Sequence, residues 1–161
     1  MDLFVATMIW GFGDKDEAGP VKLFLAVRTP GFDDTLKKCA EEVAQGHLAC
    51  AFCSIRELNE IGPSFGTKFL YALGVSSQLK VKPLVLDGVV TKALQRGMGE
   101  DEANRRFLLD KLYYTSAKAK AEAGKAYQHY CESMSQWAKD LDDGITSEQL
   151  ELFLFSCGKN L

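Results

Sequence analysis

Apolar residues recur along this chain at intervals of about three to four positions, which is the spacing of amphipathic helices, and no segment shows the alternation of a half-buried strand. The stretch "DDTLKKCAEEVAQG", residues 33–46, is typical. Its apolar positions form one stripe, Asp33 or Asp34 can cap its start, and Gly46 can end it. The pattern predicts further helices over residues 2–10, 20–28, 47–57, 88–95, 100–113, 116–141 and 147–155. We therefore expect an all-α protein.

Local sequence signals predict where several of these helices begin or end. Gly11 and Gly13 are expected to end the first helix, and Gly97 with Gly99 the one that follows residue 88. Thr146 with Gln149 three residues later forms a capping box for the last helix. The predicted inner face of the long helix 116–141 consists of Ala119, Ala123, Ala126, Tyr127, Tyr130, Met134, Trp137 and Leu141.

The segment "VSSQLKVKPLVLD", residues 75–87, interrupts the helical pattern. Pro83 lacks an N–H donor and holds Lys82 away from helical angles, so we predict an extended connector. Asp87 stands directly before "GVVTKALQ", the usual position of a helix N-cap.

Length and composition suit one compact domain. The 161 residues are 47% hydrophobic, and no repeat or linker divides them, so we predict a single domain over residues 1–161. No apolar run approaches the roughly 18 residues of a membrane span, and the N-terminus lacks the basic region and cleavage site of a signal peptide. We therefore expect a cytoplasmic protein without a membrane partner.

The number and spacing of the cysteines are not typical of a metal site or of a set of disulfide bonds. The five cysteines are odd in number, and Cys50 and Cys53, although spaced like a redox or metal pair, have no second pair with ligand spacing. We interpret the cysteines as reduced, mostly buried thiols, and expect neither a metal nor another cofactor.

The net charge of −3 argues mildly against a protein that coats nucleic acid, but basic residues cluster between positions 68 and 96, with Asp87 as the one acid there. The basic residues of this window are Lys68, Lys80, Lys82, Lys92 and Arg96. Charge alone leaves two interpretations open, a small surface for DNA or a solvated face on an acidic protein.

The stretch "IGPSFGTKFLYALG", residues 61–74, is typical of a tight turn between helices. It combines three glycines and a proline with a Thr-Lys pair and then becomes apolar. A short helix, such a hairpin and a second helix would point backbone N–H groups at a phosphate, which holds one DNA strand without reading its sequence.

Residues 58–96 resemble the helix-hairpin-helix DNA glycosylase superfamily. The "GTK" of residues 66–68 and the later "PLVLD" are most similar to the 8-oxoguanine glycosylase branch, and "YQHYCESMSQWA" and "SEQLELFLF" are similar to short bacterial proteins with that fold. The resemblance implies that Lys68 attacks C1′ of the damaged nucleotide and that Asp87, 19 residues later, assists. The chain has no room for the β-rich N-terminal subdomain of the eukaryotic type.

Two registers of the hairpin remain open. In one, Phe65-Gly66 forms the turn, Ser64 replaces its first glycine, and Lys68 takes the family's lysine position. In the other, Ile61-Gly62 forms the turn, Pro63 is the first helical residue, and Lys68 lies one helical turn beyond the lysine position. The residues expected to contact DNA are Gly62, Pro63, Ser64, Gly66, Thr67 and Lys92.

The chemistry of the reaction independently suits these residue types. Breaking an N-glycosidic bond builds positive charge on the sugar, which a carboxylate such as Asp87 stabilises, and a lysine amine can capture C1′ covalently. The target base must flip out of the stack and rest against apolar walls. The aromatic residues expected to line this base pocket are Trp10, Phe12, Tyr71 and Trp137.

We therefore predict a monomeric DNA glycosylase that acts on double-stranded DNA containing a modified base, with oxidised purine as the default that the resemblance implies. Whether AP lyase activity follows excision stays open. One alternative is a glycosylase that removes hypermodified pyrimidines of viral DNA in anti-phage defence. The other is a helix-hairpin-helix module that binds DNA without catalysis.

Overall fold

The structure is a computed structural model that describes residues 1–12, 18–109, 112 and 116–159. Within these residues the chain forms nine α-helices and no strand, so the all-α prediction is confirmed. The helices are α1 (Asp2–Phe12), α2 (Gly19–Val27), α3 (Phe32–Ala44), α4 (Leu48–Ile55), α5 (Pro63–Gly74), α6 (Gly88–Met98), α7 (Glu100–Phe107), α8 (Ala117–Leu141) and α9 (Ser147–Lys159). None of these helices is long and apolar enough to cross a membrane.

Two capping predictions are confirmed, at α6 and at α9. The Asp87 side chain caps α6. The Ser116 hydroxyl, for which no cap was predicted, caps α8. At α9 the Thr146 hydroxyl accepts the Gln149 N–H at 3.2 Å, while the Gln149 side chain accepts the Thr146 N–H at 2.8 Å.

Several predicted helix ends are wrong. Helix α1 runs through Gly11 to Phe12, whereas Gly13 lies outside the described residues. Helix α6 runs through Gly97, since glycine inside a helix only lowers its stability. The cap of α3 is Gly31 at φ 75°, so Asp33 and Asp34 lie in the first turn, where negative charge favours the helix dipole.

The predicted helix over residues 100–113 is shorter in the structure. Helix α7 ends at Phe107, and Leu108 follows in the left-handed region at φ 48°. Residues 110, 111 and 113–115 lie outside the described part of the chain.

Helix α8 lies along the hydrophobic core. Tyr127, Tyr130 and Met134 are fully buried on its inner face, as predicted, and Tyr127 stacks on Phe52 of α4 at a centroid distance of 4.9 Å. The prediction for Leu141 is wrong, because its side chain is 65% exposed at the end of the helix.

The extended connector between α5 and α6 packs closely against the end of α5. A Cβ atom on Gly74 would lie 2.4 Å from Cγ of Pro83, so only glycine allows this approach. Leu84, Val85 and Leu86 then pass through the protein interior. The connector thereby brings the start of α6 beside the middle of α5.

The turn between α4 and α5 settles where α5 begins. Pro63 is the first helical residue and Gly62 the N-cap, as in the second register, and Glu60 in the turn has φ 62°. Lys68 therefore lies in the second turn of α5, on the same face as Ser64.

Candidate active site

Lys68 and Asp87 lie next to each other in the folded protein. Their side chains are mostly buried, at 15% and 10% exposure, and Lys68 Nζ lies 4.0 Å from Asp87 Oδ2. The two residues come from different elements, α5 and the N-cap of α6, so the fold creates this pair.

The cap of α6 fixes the orientation of Asp87. Its Oδ1 accepts the backbone N–H groups of Val89 at 2.9 Å and Val90 at 3.0 Å. The other oxygen, Oδ2, is the one nearest Lys68. One carboxylate thus caps a helix and directs negative charge toward an amine.

Two tyrosines of α8 hold the backbone that precedes Asp87. The Tyr127 hydroxyl donates to the Leu84 carbonyl at 2.8 Å, and the Tyr130 hydroxyl donates to the Val85 carbonyl at 3.1 Å. Burial is the main cause that raises the pKa of both phenols well above the ordinary value, so both remain donors near neutral pH.

The amides of the same segment donate to side chains of two other helices. The Leu86 N–H donates to Thr67 Oγ1 at 3.0 Å, and the Val85 N–H donates to Glu151 Oε2 at 2.9 Å. Because Thr67 precedes Lys68 on α5, this bond ties the helix that carries Lys68 directly to the segment that carries Asp87. Helices α5, α8 and α9 therefore fix the position of this carboxylate together.

A pocket of about 600 Å³ opens over this pair, within the usual range for small-molecule sites. Its walls come from α1, α5, the end of the connector and α9. The lining residues are Trp10, Gly11, Lys68, Tyr71, Val85, Asp87, Glu148, Gln149, Glu151, Leu152, Phe155 and Lys159.

Two of the four aromatic residues expected in the pocket line it. Trp10 is 59% exposed, with Lys68 Nζ 5.6 Å from its ring centroid, and Tyr71 lies on α5 one helical turn from Lys68. Phe12 instead packs edge to face on Phe65, at 5.5 Å, behind the pocket. Trp137 lies away from it, because its ring packs on Phe107 at 6.0 Å.

The residues expected to contact DNA fall into separate environments. Gly62 and Ser64 are partly exposed at the start of α5, where no side chain caps the helix. Pro63, Gly66 and Thr67 are buried and unavailable to a phosphate in this conformation, and the Thr67 hydroxyl is used by the Leu86 amide.

Two smaller cavities lie elsewhere on the described surface. Lys92 is exposed on α6 and, with Arg96, lines a cavity of about 320 Å³. The turn between α4 and α5, residues 56–62, lines another of about 400 Å³ together with Lys120.

Glu151 and Glu148 of α9 are site residues that the sequence analysis missed. Burial, followed by the charges of Asp87 and Glu148, raises the pKa of Glu151 to about 7, although the hydrogen bond from the Val85 amide acts to lower it. The sequence signal was weak: Glu151 stands between leucines in the otherwise apolar run 150–155.

Glu148 differs from Glu151 because a cation pairs with it. Burial alone would raise the pKa of Glu148, but the Lys82 ammonium, 2.8 Å from its Oε1, and further hydrogen bonds lower it below the ordinary value. The two carboxyl groups of α9 thus have opposite protonation preferences within one pocket.

None of the five cysteines lines this pocket. All five are free; Cys39 and Cys131 are buried, Cys53 and Cys157 are partly buried, and Cys50 is exposed on α4. Among the described residues no group of three or more histidine, cysteine or acidic side chains could hold a metal ion.

A comparison with known protein families identifies the family of this chain. A model of the family described as "Putative 8-oxoguanine DNA glycosylase OGG-like protein" matches residues 1–155. The chain belongs to this OGG-like family. Searches of the curated proteins and of the solved structures found no match. Membership implies a DNA substrate and glycosylase chemistry, and the match includes every residue that lines the pocket except Lys159.

Proposed function

We propose that this protein is a DNA glycosylase that excises a modified or oxidised base, with Lys68 as the nucleophile and Asp87 as the assisting carboxylate. The observation that carries the proposal is the 4.0 Å approach of Lys68 Nζ to Asp87 Oδ2 in a pocket of about 600 Å³. An OGG-like family match makes an oxidised purine the first substrate to test.

DNA would bind first through the start of α5. Because no side chain caps this helix, its first backbone N–H groups are available to a phosphate, as in other helix N-termini that bind anions. Ser64 lies there and is partly exposed. The exposed Lys92 and Arg96 on α6 add positive charge that suits a second phosphate.

The target base would then flip into the pocket and rest on the exposed Trp10 ring, which faces the cavity beside Lys68. As the glycosidic bond weakens, positive charge develops on the sugar, and the Asp87 carboxylate stabilises it. The Lys68 amine, once unprotonated, forms a bond to C1′. This intermediate can proceed to an imine that borohydride reduces to a stable adduct.

The nucleophile assignment is tested by trapping. Wild-type protein, incubated with borohydride and duplexes that each contain one modified base, is expected to form a covalent adduct and to release that base, measured by gel shift and mass spectrometry. Lys68→Gln should abolish both signals. Lys125→Gln, the same change at an exposed position of α8, should preserve them.

The result that contradicts this mechanism is full base release by Lys68→Gln. A wild-type protein that releases no base from a panel of oxidised purines and hypermodified pyrimidines, yet binds duplex with steep salt dependence, would be a binding module instead of an enzyme. Release of hypermodified pyrimidines alone would favour the role in defence.

A further inference from the structure

Half of the pocket wall has no role in the mechanism above. Six of the twelve lining residues belong to α9, whereas Lys68 and Asp87 come from α5 and the N-cap of α6. In a displacement at C1′ the nucleophile and the departing base occupy opposite faces of the sugar. The departing base therefore leaves on the side away from the Lys68 amine, so that one of its faces can rest on Trp10 while its edges meet the remaining walls, to which α9 contributes the most lining residues.

Most polar side chains of this wall are already engaged. Glu148 pairs with Lys82 at 2.8 Å, and the Gln149 carbonyl oxygen accepts the Thr146 N–H at 2.8 Å. Lys159 lies at the end of α9, with its Nζ 4.7 Å from the Phe155 ring centroid.

Glu151 differs from Glu148 on this wall, because no cation among the described residues pairs with it. Its Oε2 accepts the Val85 N–H, and its Oε1 has no hydrogen-bond partner among the described residues. Since Oε2 is held as an acceptor, a proton on this carboxyl group resides on Oε1, the oxygen left free for a ligand in the pocket.

The surroundings of Glu151 keep a proton on it near neutrality. Burial is the largest cause that raises its pKa to about 7, and Asp87 and Glu148 raise it further. The other titratable groups of the pocket and of α8 that surround it are Lys68, Tyr71, Lys159, Tyr127, Tyr130 and Cys131.

We propose that Glu151 is the general acid of the reaction, whose Oε1 donates a proton to the departing nucleobase; this rests on the proposed glycosylase function. The C1′–N bond breaks with its electron pair remaining on the base, and the proton from Glu151 neutralises the resulting negative charge. The Lys68 lone pair forms the new bond to C1′, and Glu151 is left as a carboxylate. Two carboxyl groups in different environments thus take different tasks, Asp87 at the sugar and Glu151 at the base.

The assignment also limits the substrate class. A general acid helps a base that is neutral in DNA and would otherwise leave as an anion, and it needs an acceptor nitrogen or oxygen on that base. Oxidised purines and hypermodified pyrimidines both meet this condition, whereas a base that already carries a positive charge gains nothing from Glu151.

Glu151→Gln separates proton donation from the structural role. The glutamine carbonyl can still accept the Val85 N–H, and its NH₂ group can still form a hydrogen bond in the pocket, but it cannot transfer a proton. We expect the single-turnover rate of base release at neutral pH to fall roughly 100-fold or more, with duplex binding unchanged. Glu122→Gln, at an exposed position of α8, should keep the wild-type rate.

The pH profile gives a second readout. The ratio of the wild-type rate to the Glu151→Gln rate, measured from about pH 6 to about pH 9, should fall above about 7, because only the wild-type protein loses a proton donor there. Any effect of pH on the amine is common to both proteins and cancels in the ratio, so a constant ratio overturns the proposal. If that variant fails to fold, equal wild-type rates of single-turnover base release in H₂O and D₂O at neutral pH overturn it.

The outcomes separate this proposal from the function on which it rests. Base release that depends on Lys68 but is unchanged by Glu151→Gln refutes the general acid and leaves the glycosylase standing. A wild-type protein that releases no base refutes both.

Discussion

At the scale of single residues, Asp87 combines two roles that can be separated chemically. Its Oδ1 caps α6 through two backbone amides, and its Oδ2 faces Lys68. A neutral side chain with one carbonyl oxygen can keep the first role while losing the second. Helix stability and base excision are therefore expected to respond differently to substitution.

Asp87→Asn should release almost no base while losing less than about 1 kcal/mol of unfolding free energy, because asparagine is also a good N-cap. Asp87→Ala should lose about 1 kcal/mol in addition to activity, since it removes the cap. Urea denaturation and single-turnover base release measure the two effects. Wild-type activity in Asp87→Asn would contradict the electrostatic role.

Thr67 has a structural role that the sequence did not predict. Its hydroxyl, expected near a phosphate, is buried and accepts the Leu86 N–H beside Asp87. We expect Thr67→Val to cost about 1–3 kcal/mol of unfolding free energy, because it leaves a buried amide without an acceptor. Activity should fall as Asp87 loses its support.

Thr67→Ser is the matched control, because it keeps the hydroxyl and removes only a methyl group. It should retain most of the stability and activity that Thr67→Val loses. Equal losses in the two variants, measured by denaturation and base release, would show that packing and not the hydrogen bond positions the segment.

At the scale of elements, the close approach of α5 to the connector depends on a missing side chain. A Cβ atom on Gly74 would lie 2.4 Å from the Pro83 ring, whereas one on Gly97 of α6 would meet no atom within 4 Å. Replacement by alanine is therefore expected to have opposite effects on stability at the two glycines.

Gly74→Ala should destabilise the protein by about 1–3 kcal/mol, the usual cost of overpacking, and should displace the connector. Gly97→Ala should instead stabilise it by about 0.5–1 kcal/mol, because alanine favours the helix. Thermal or urea denaturation distinguishes them, and stabilisation by Gly74→Ala would show that the connector can shift at little cost.

Helix ends could be predicted from the sequence where the residues that cap them lie close to their partners in the chain. The caps of α6 and α9 follow from Asp87, Thr146 and Gln149, whose partners lie two or three residues away. The pairing of Lys68 with Asp87, which are 19 residues apart, came from the family resemblance of residues 58–96. The place of Glu151 in the pocket could not be predicted, because its environment depends on burial and on the Val85 amide, which is distant in the chain. No local sequence pattern encodes either.

At the scale of the whole molecule, Glu151 makes folding depend on pH. Its ordinary pKa of 4.5 describes the unfolded chain, and in the folded protein the pKa is about 7. The folded state therefore holds the proton more tightly. Its contribution to stability is present below about pH 4.5 and is lost as pH rises through 7.

Replacing Glu151 with glutamine should remove this dependence. Relative to wild type, the unfolding free energy of Glu151→Gln should rise between about pH 5 and about pH 8 by on the order of 2–3 kcal/mol. Urea denaturation at the two pH values measures the change, with Glu122→Gln, the same substitution at an exposed position of α8, as the control. A constant difference would mean that Glu151 ionises in the folded protein as readily as in the unfolded chain.

The pocket is lined by helices from both ends of the described chain, so it can form only late in the synthesis of the protein. Trp10 lies on the first helix and Phe155 on the last of those described, and both line the same cavity. A growing polypeptide leaves the ribosome from its N-terminal end, so Lys68 and Asp87 emerge while α9 is still untranslated. A nascent chain at that stage carries Lys68, the proposed nucleophile, without the pocket wall that α9 supplies. Competence for excision should therefore arise abruptly, once the final helix docks.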